Sequence, residues 1–471
     1  MHKKFFIVIF MAILWIPFLT MFFVKTDMSA EKREVAKMPD ITIKGQLNTE
    51  YPQQLTDYFN DNFGFRQNLI TLDAKIKGGL FSTSNNKKVI IGNDGWLYFN
   101  ETLDDYFSRN VMTKRGVFDC AKTLALINES VENEDRQFLF VVAPNKNSIY
   151  PENMPFIYVK GEEINNYSLL QEAMAKLNVN TIDLKEAFLS EDKVLYHKKD
   201  THWTNEGAAF AMNLILDNLG KKHTNFVGQD NVVKNDFNAD LQDMLYPTLN
   251  LFDDQIYYKM QHTQKYLGRF KSTEDLSILS SDDKEEKTVV MYRDSFGNAL
   301  VPFVADQYAK GFFTRAIPYD LEMPSFQGAD DVIIELVERN IPTLKSQTPL
   351  MDALYREVSG DITYVEDSNT RIFTKKEDGK ITYYGQVDSN YISDEGSIYI
   401  KVYNDVAEGY FEAFPTATTS EEGKQITEGD YCFSARLSMD SLEEGVYNVD
   451  VITQKNDQLY GVNQNIKLEI Q

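Results

Sequence analysis

The chain has 471 residues, enough for two or three domains, and its 43% hydrophobic and 13% aromatic content can fill real cores. A formal net charge of -23 argues against nucleic acid and anionic lipid headgroups as partners, and equally against a strongly anionic polymer held over a long surface. The 2 cysteines, Cys120 and Cys432, are too far apart in sequence to imply a disulfide framework.

Lys3 and Lys4 precede a charge-free run over residues 5–24. About twenty apolar residues cross a bilayer as a helix, and the basic start places the N-terminus in the cytoplasm. The chain is therefore expected to be a single-pass, membrane-anchored protein, with its bulk extracytoplasmic. A cleaved signal peptide is the alternative, for which only Met28-Ser29-Ala30 offers a small-residue site. No cysteine precedes Cys120, which removes a lipoprotein anchor. Residues 25–43 are polar, contain Pro39, and read as a stalk. Over residues 51–80, Leu55, Phe59, Leu69, Leu72 and Ile76 recur at helical spacing, which predicts a helical lead-in. Val89-Ile90-Ile91, the Asn93-Asp94-Gly95 turn and Trp96-Leu97-Tyr98-Phe99 predict a hairpin.

From there to about residue 358, strand-like and helix-like stretches alternate, as in an α/β sheet covered by helices. Phe138-Leu139-Phe140-Val141-Val142, Thr288-Val289-Val290-Met291-Tyr292 and Asp331-Val332-Ile333-Ile334 read as buried parallel strands. Thr204 can cap a helix that Gly220 stops, with Ala208, Met212, Ile215 and Leu219 on one face. Three polar clusters follow strands, where open α/β sheets place their sites: Asn145 with Lys146, Asp294 with Ser295, and Glu338 with Arg339. After Gly360 the pattern becomes alternating strands with Asp/Gly/Glu-rich turns, which predicts a small β-sandwich carrying about half of the net negative charge. The expected division is an anchor over residues 1–27, a stalk and lead-in over 28–88, the main domain over 89–358, and the sandwich over 360–471.

The chemistry rests on Asp200-Thr201-His202-Trp203 and Arg293-Asp294-Ser295-Phe296. A serine becomes a nucleophile when a histidine takes its proton, and that histidine needs a carboxylate to fix its tautomer. Asp200 and His202 can supply such a pair from one loop before a helix. Trp203 is expected to pack rather than to form a sugar platform. His197, Asp200 and His202 could in principle hold a metal, but 5 histidines and no thiolate cluster argue against it. No cofactor is expected.

These two blocks resemble those of the SGNH-hydrolase-like proteins that O-acetylate alginate and related exopolysaccharides. Asp61-Asn62-Phe63-Gly64-Phe65-Arg66, Ile91-Gly92-Asn93-Asp94-Gly95-Trp96-Leu97, Ala143-Pro144-Asn145-Lys146 and Val337-Glu338-Arg339-Asn340 extend the resemblance, in the same order, over about residues 50–345. It implies an α/β/α sandwich with a mainly parallel sheet. It makes Ser295 the nucleophile, His202 the general base and Asp200 its orienter. Asn145, at a strand end, is the candidate oxyanion donor beside the Ser295 amide, and Lys146, Arg293 and Arg339 are candidate substrate-binding groups, with a solvated Lys146 and an ordinary Glu338–Arg339 surface pair as the alternatives. Arg293 stands where the common block has glycine, so its side chain is expected to reach the site. The function implied is O-acetyl transfer through an acyl-serine onto an extracellular or cell-wall polysaccharide. A membrane-bound O-acyltransferase is the implied acetyl donor. A carbohydrate esterase using the same residues and a non-catalytic polysaccharide-binding assembly protein are the alternatives.

Overall fold

The computed structural model describes residues 2–21, 23, 34–162, 164–260, 262–377, 379–421, 424–439 and 442–470. The apolar N-terminal run forms helix His2–Thr20 (α1), which is long and apolar enough to cross a membrane. Phe5, Ile7, Leu14 and Trp15 all face outward from it, as suits a helix surrounded by lipid. Residues 24–33, with the start of the expected stalk and Met28-Ser29-Ala30, lie outside the described residues. The lead-in is two helices, Tyr51–Asn62 (α2) and Arg66–Phe81 (α3), joined through Phe63, Gly64 and Phe65. Val89–Ile91 and Leu97–Phe99 then pair as an antiparallel hairpin.

The central sheet has seven strands: Gln137–Ala143 (β1), Thr181–Ile182 (β2), Lys265–Leu267 (β3), Ser277–Ser281 (β4), Thr288–Tyr292 (β5), Lys310–Thr314 (β6) and Asp331–Val337 (β7). Their order is β2-β1-β7-β5-β6-β4-β3. Strands β2, β1, β7, β5 and β6 run parallel, whereas β4 is antiparallel to β6 and β3 antiparallel to β4. The helices that matter here are Lys114–Glu132 (α4), Asn166–Lys176 (α5), Asn205–Asn218 (α6), Asp240–Leu245 (α7) and Gly297–Ala305 (α8).

Both faces of the sheet are covered, which is why its strands read as unbroken apolar runs. On one face Val141, Met291 and Ile333 pack with Met212 and Ile215 of α6 and Leu300 and Val304 of α8. On the other, Phe140, Val290 and Ile334 pack with Leu124 and Ile127 of α4 and Leu170 and Met174 of α5. The parallel arrangement brings Asn145, Ser295 and Glu338 to one edge, just past the carboxyl ends of β1, β5 and β7.

The C-terminal strands form a six-stranded and a four-stranded sheet packed over a core of Ile400, Val449, Val451, Tyr383, Phe433 and Leu468. The sandwich takes up the chain from Leu354, because Leu354–Arg356 pairs with Glu408–Glu412 before the composition changes at Gly360. Charged groups lock it to α4. Arg356 bridges Glu129 and Glu412, and Lys122 reaches Glu412 at 2.7 Å. The buried Arg115 pairs with Asp119 at 2.8 Å and donates to the Gly396 carbonyl at 2.7 Å. A buried ion pair that also satisfies backbone carbonyls fixes relative position more than it adds stability.

Candidate active site

The loop that carries Asp200 and His202 is narrow and closed at its base. Tyr196 and Trp203 bridge as in an antiparallel pair, and the His197 amide donates to the His202 carbonyl at 3.2 Å. Thr204 caps α6 by accepting from the Gly207 amide, so the chain leaves the loop directly into a helix. Inside the loop lies the ammonium of Lys146. It donates to the carbonyls of His197 at 3.0 Å, Lys198 at 3.2 Å and Asp200 at 2.5 Å. All three of its donors are thereby engaged. Trp96 and Tyr98 of the hairpin place their rings 5.7 and 5.3 Å from it. Burial pushes the Lys146 pKa down to about 7, against the upward pull of Asp200, Asp240 and Asp253. Lys146 thus stands behind the loop as a brace, away from the cleft where substrate would lie.

Asp200 is buried, and its two oxygens have different tasks. Oδ1 receives His202 Nδ1 at 2.7 Å and the His202 amide at 2.9 Å; Oδ2 receives the Asp240 amide at 2.6 Å. On the far side of the ring, His202 Nε2 lies 2.9 Å from Ser295 Oγ. With Nδ1–H given to the carboxylate, Nε2 is left as the acceptor for the serine proton. Burial pulls the His202 pKa down, but the Asp200 charge and hydrogen bond, with a further contribution from Asp240, outweigh it, and the net shift is upward. Asp240, at the start of α7, carries no motif in the sequence. Its carboxylate accepts from the Thr201 amide at 2.8 Å and lies 4.0 Å from His202 Nδ1. Burial first, then Asp200, raises its pKa to about 6.

Ser295 is presented by the turn between β5 and α8. The Asp294 carboxylate accepts from the Phe296 amide at 2.8 Å and the Val337 amide at 2.8 Å, which ties the turn to the end of β7. Beneath it the Glu335 carboxyl has its pKa raised, chiefly by burial and then by the Asp294 charge. Arg293 points away from the cleft. It donates to the carbonyls of Thr273 at 2.8 Å and Asp275 at 3.1 Å, and to Asn298 Oδ1. The arginine does not reach the site as expected; it braces the cleft wall and orients Asn298. A Cβ at Gly297 would sit 2.6 Å from Arg293 Cβ and 3.0 Å from Glu335 Oε2, so the crowding explains the glycine there.

The remaining expected residues are close by but set back from Ser295. Asn145 is buried, with Nδ2 donating to Asp105 at 3.2 Å and its amide to Glu338 at 2.8 Å. It does not line the cleft. Arg339 is wedged between rings, 5.3 Å from Phe99 and 5.7 Å from Phe296. Glu338 is buried and accepts from Lys185 at 3.3 Å. Trp203 is a packing residue whose indole donates to the Phe296 carbonyl at 3.1 Å. His197 is buried and stacked 3.9 Å from the Phe237 ring, where burial lowers its pKa. Asp200, His202 and Asp240 bring three potential metal-ligand atoms within 4.8 Å of one another, but hydrogen bonds between these residues already organise them.

Ser295 and His202 open onto a cleft of about 720 Å³ whose wall includes Asn238, Asp243, Asn250, Glu274 and Asn298. Such a volume suits a ligand of several rings or a segment of polymer. Its polar lining suits a hydroxyl-rich one.

Residues 89–282 match the family model described as an SGNH hydrolase-like domain, acetyltransferase AlgX. Among curated proteins the chain is similar to the probable alginate O-acetylase AlgJ of Pseudomonas fluorescens, at 22% identity over 180 residues. That match covers 37% of this chain and 44% of the relative, so it spans less than half of the curated protein. Among solved structures, PatB1 of Bacillus cereus aligns with a TM-score of 0.42 and 15% identity, covering 54% of this chain and 96% of that one. The O-acetyltransferase domain of Pseudomonas putida AlgJ aligns with a TM-score of 0.36 and 16% identity, covering 54% and 92%.

Two measurements test the geometry. Lys146→Met keeps the volume but removes the donors that shape the loop, and is expected to lower kcat about 10²-fold through misplacement of His202. Unchanged turnover would show that the loop keeps its shape without the ammonium. Asp240→Asn removes one upward pull on the His202 pKa. Because the base must be neutral, activity rises with pH through that pKa, and the acidic limb of kcat/KM is expected to move to lower pH.

Proposed function

We propose, for a chain whose residues 89–282 carry an SGNH hydrolase-like domain of the acetyltransferase type, that it moves an acetyl group through an acyl-serine onto hydroxyls of an extracellular or cell-wall polysaccharide, held at the membrane by α1. The observation that carries this reading is the continuous relay Asp200–His202–Ser295 at the floor of a polar cleft.

In the first half-reaction Ser295 Oγ attacks the acetyl carbonyl carbon as His202 Nε2 takes its proton, and Asp200 stabilises the imidazolium. Collapse of the tetrahedral intermediate expels the donor's leaving group, which takes that proton from His202. In the second half a sugar hydroxyl gives its proton to His202, attacks the acetyl-serine, and releases Ser295 with the proton returned. The developing oxyanion needs preorganised donors. The Ser295 amide has no acceptor within the described residues. Asn298 faces the cleft one helical turn on, and Arg293 occupies its Oδ1, which leaves Nδ2 to donate. We assign the oxyanion to these two groups, since Asn145 is buried against Asp105 and Glu338. Asp243 and Glu274 on the cleft wall, with the net charge of -23, favour a neutral glycan as acceptor. A membrane-bound O-acyltransferase is the donor that fits a protein anchored beside it.

Ser295→Ala, His202→Ala and Asp200→Ala should each reduce acetate release from a chromogenic ester by at least about 10³-fold. Activity that survives Ser295→Ala would remove the acyl-serine. With an acetyl donor and a neutral oligosaccharide together, acetylated sugar is the expected product, in preference over a uronic acid oligomer; free acetate alone would make the protein an esterase. Asn298→Ala should lower kcat about 10²–10³-fold with KM little changed. A change confined to KM would place Asn298 in ground-state binding instead.

A further inference from the structure

Helix α3 turns its large apolar residues outward rather than into the body. The side turned to the protein is small or polar: Thr71 and Ala74 are buried, and Gly78 lies half-buried with them. The opposite side, turned to solvent, is a stripe of Phe65, Leu69, Leu72, Ile76 and Leu80, from 44% to 74% exposed. At 100° per residue these five positions fall on one face. The Asp73–Lys77 pair flanks the stripe on one side, and Lys75 flanks it on the other. A contiguous apolar stripe of this size on a helix that already has a packed face marks an interaction surface.

Its surroundings identify the occupant. The α2–α3 elbow sits against the end of α1: the Gly64 amide donates to the Pro17 carbonyl at 3.1 Å, and Phe18 stacks on Phe59 at 6.3 Å. A Cβ on Gly64 would meet Thr20 Oγ1 at 2.0 Å and Pro17 O at 2.5 Å, so the approach depends on the glycine. A helix that begins where a membrane span ends starts at the depth of the headgroups. There an outward apolar stripe with charged flanks is the pattern of a helix lying in the bilayer interface. We propose that α3 lies on the outer surface of the membrane, with Leu69, Leu72, Ile76 and Leu80 inserted among lipids that are zwitterionic rather than anionic, given the charge of the body above. This rests on the reading of α1 as a retained anchor.

The placement has a consequence for the site. The inner face of α3 meets the segment that follows α7, where Thr71 Oγ1 and Thr248 Oγ1 are 2.9 Å apart, and Asn86, five residues past the end of α3, donates to the carbonyl of Met244 within α7 at 3.0 Å. Pro247, Leu249 and Asn250 of that segment line the cleft. One wall of the cleft is thus seated on the helix that rests on lipid. An acyl group delivered from within the bilayer would have only a short path to Ser295.

The test uses the full chain reconstituted in phosphatidylcholine vesicles, since Cys120 and Cys432 are both buried and leave introduced cysteines free for labelling. Fluorophores at Leu72→Cys and Ile76→Cys are expected to lose roughly half or more of their emission to a lipid nitroxide near the headgroup, the depth of an interfacial helix. A fluorophore at Val406→Cys, a position 91% exposed on the sandwich, should keep its emission. A fluorophore at Ile9→Cys in α1 should be quenched by a nitroxide deep in the acyl chains. Quenching at 9 without quenching at 72 and 76 would overturn the proposal and leave the anchor standing. No quenching at 9 would overturn the anchor reading and, with it, this one.

Discussion

The site depends on one buried ammonium. Lys146 emerges at the end of β1, and the loop 197–202 folds around its charge through three carbonyls. Removing a lysine from water is unfavourable, and the pKa near 7 expresses that cost. It is offset by the carbonyls, by the rings of Trp96 and Tyr98, and by Asp200 and Asp240. The result is a loop whose shape is set from inside. The hairpin at Val89–Ile91, otherwise a two-stranded appendage beside the main sheet, gains its purpose here, since it carries the two rings and its Leu97 amide holds the Lys198 carbonyl at 2.8 Å.

A second constraint presents the serine, and it works by a different economy of groups. The turn after β5 is tied to β7 through Asp294, with the buried Glu335 below it accepting from the Asp294 amide, while Arg293 spans from the turn to the loop at Thr273 and Asp275. The two constraints are independent in sequence. They meet only because β1, β7 and β5 are adjacent and parallel, which brings the loop and the turn to the same edge. Hydrogen bonds of 2.7 and 2.9 Å along the relay then follow from two rigid supports.

Much of this was legible in the sequence, for identifiable reasons. The strands at Phe138, Val289 and Val332 are buried on both faces and so read as apolar runs, and Thr204 and Gly220 mark the ends of α6. Asp200, His202 and Ser295 stood out because their chemistry and local order were distinctive. What stayed hidden was direction. Nothing in a sequence says that Arg293 turns to carbonyls behind the turn, or that Lys146 turns inward rather than to substrate; both are set by tertiary neighbours. Asp240 was missed because its role comes from a backbone amide and from distance to His202, neither of which leaves a pattern. The lead-in showed its helical period, but the period alone could not tell which face would be covered. The packing of Thr71, Ala74 and Gly78 against the body leaves the apolar face outward.

Helix α7 joins these threads. Its first residue, Asp240, gives its amide to Asp200, its Met244 carbonyl accepts from Asn86, and Thr248 just beyond its end bonds to Thr71 of α3. It is six residues long, too short to be stable by itself, so its position is set by what it touches at either end. Leu241 and Leu245 pack with Val89 and Leu97 of the hairpin, which places it beside the Lys146 brace as well. A displacement of α3 would therefore be felt first in α7, and through the Asp240 amide in the carboxylate that orients His202. The carboxylate that accepts from His202 and the apolar stripe of α3 are separated by a single short helix.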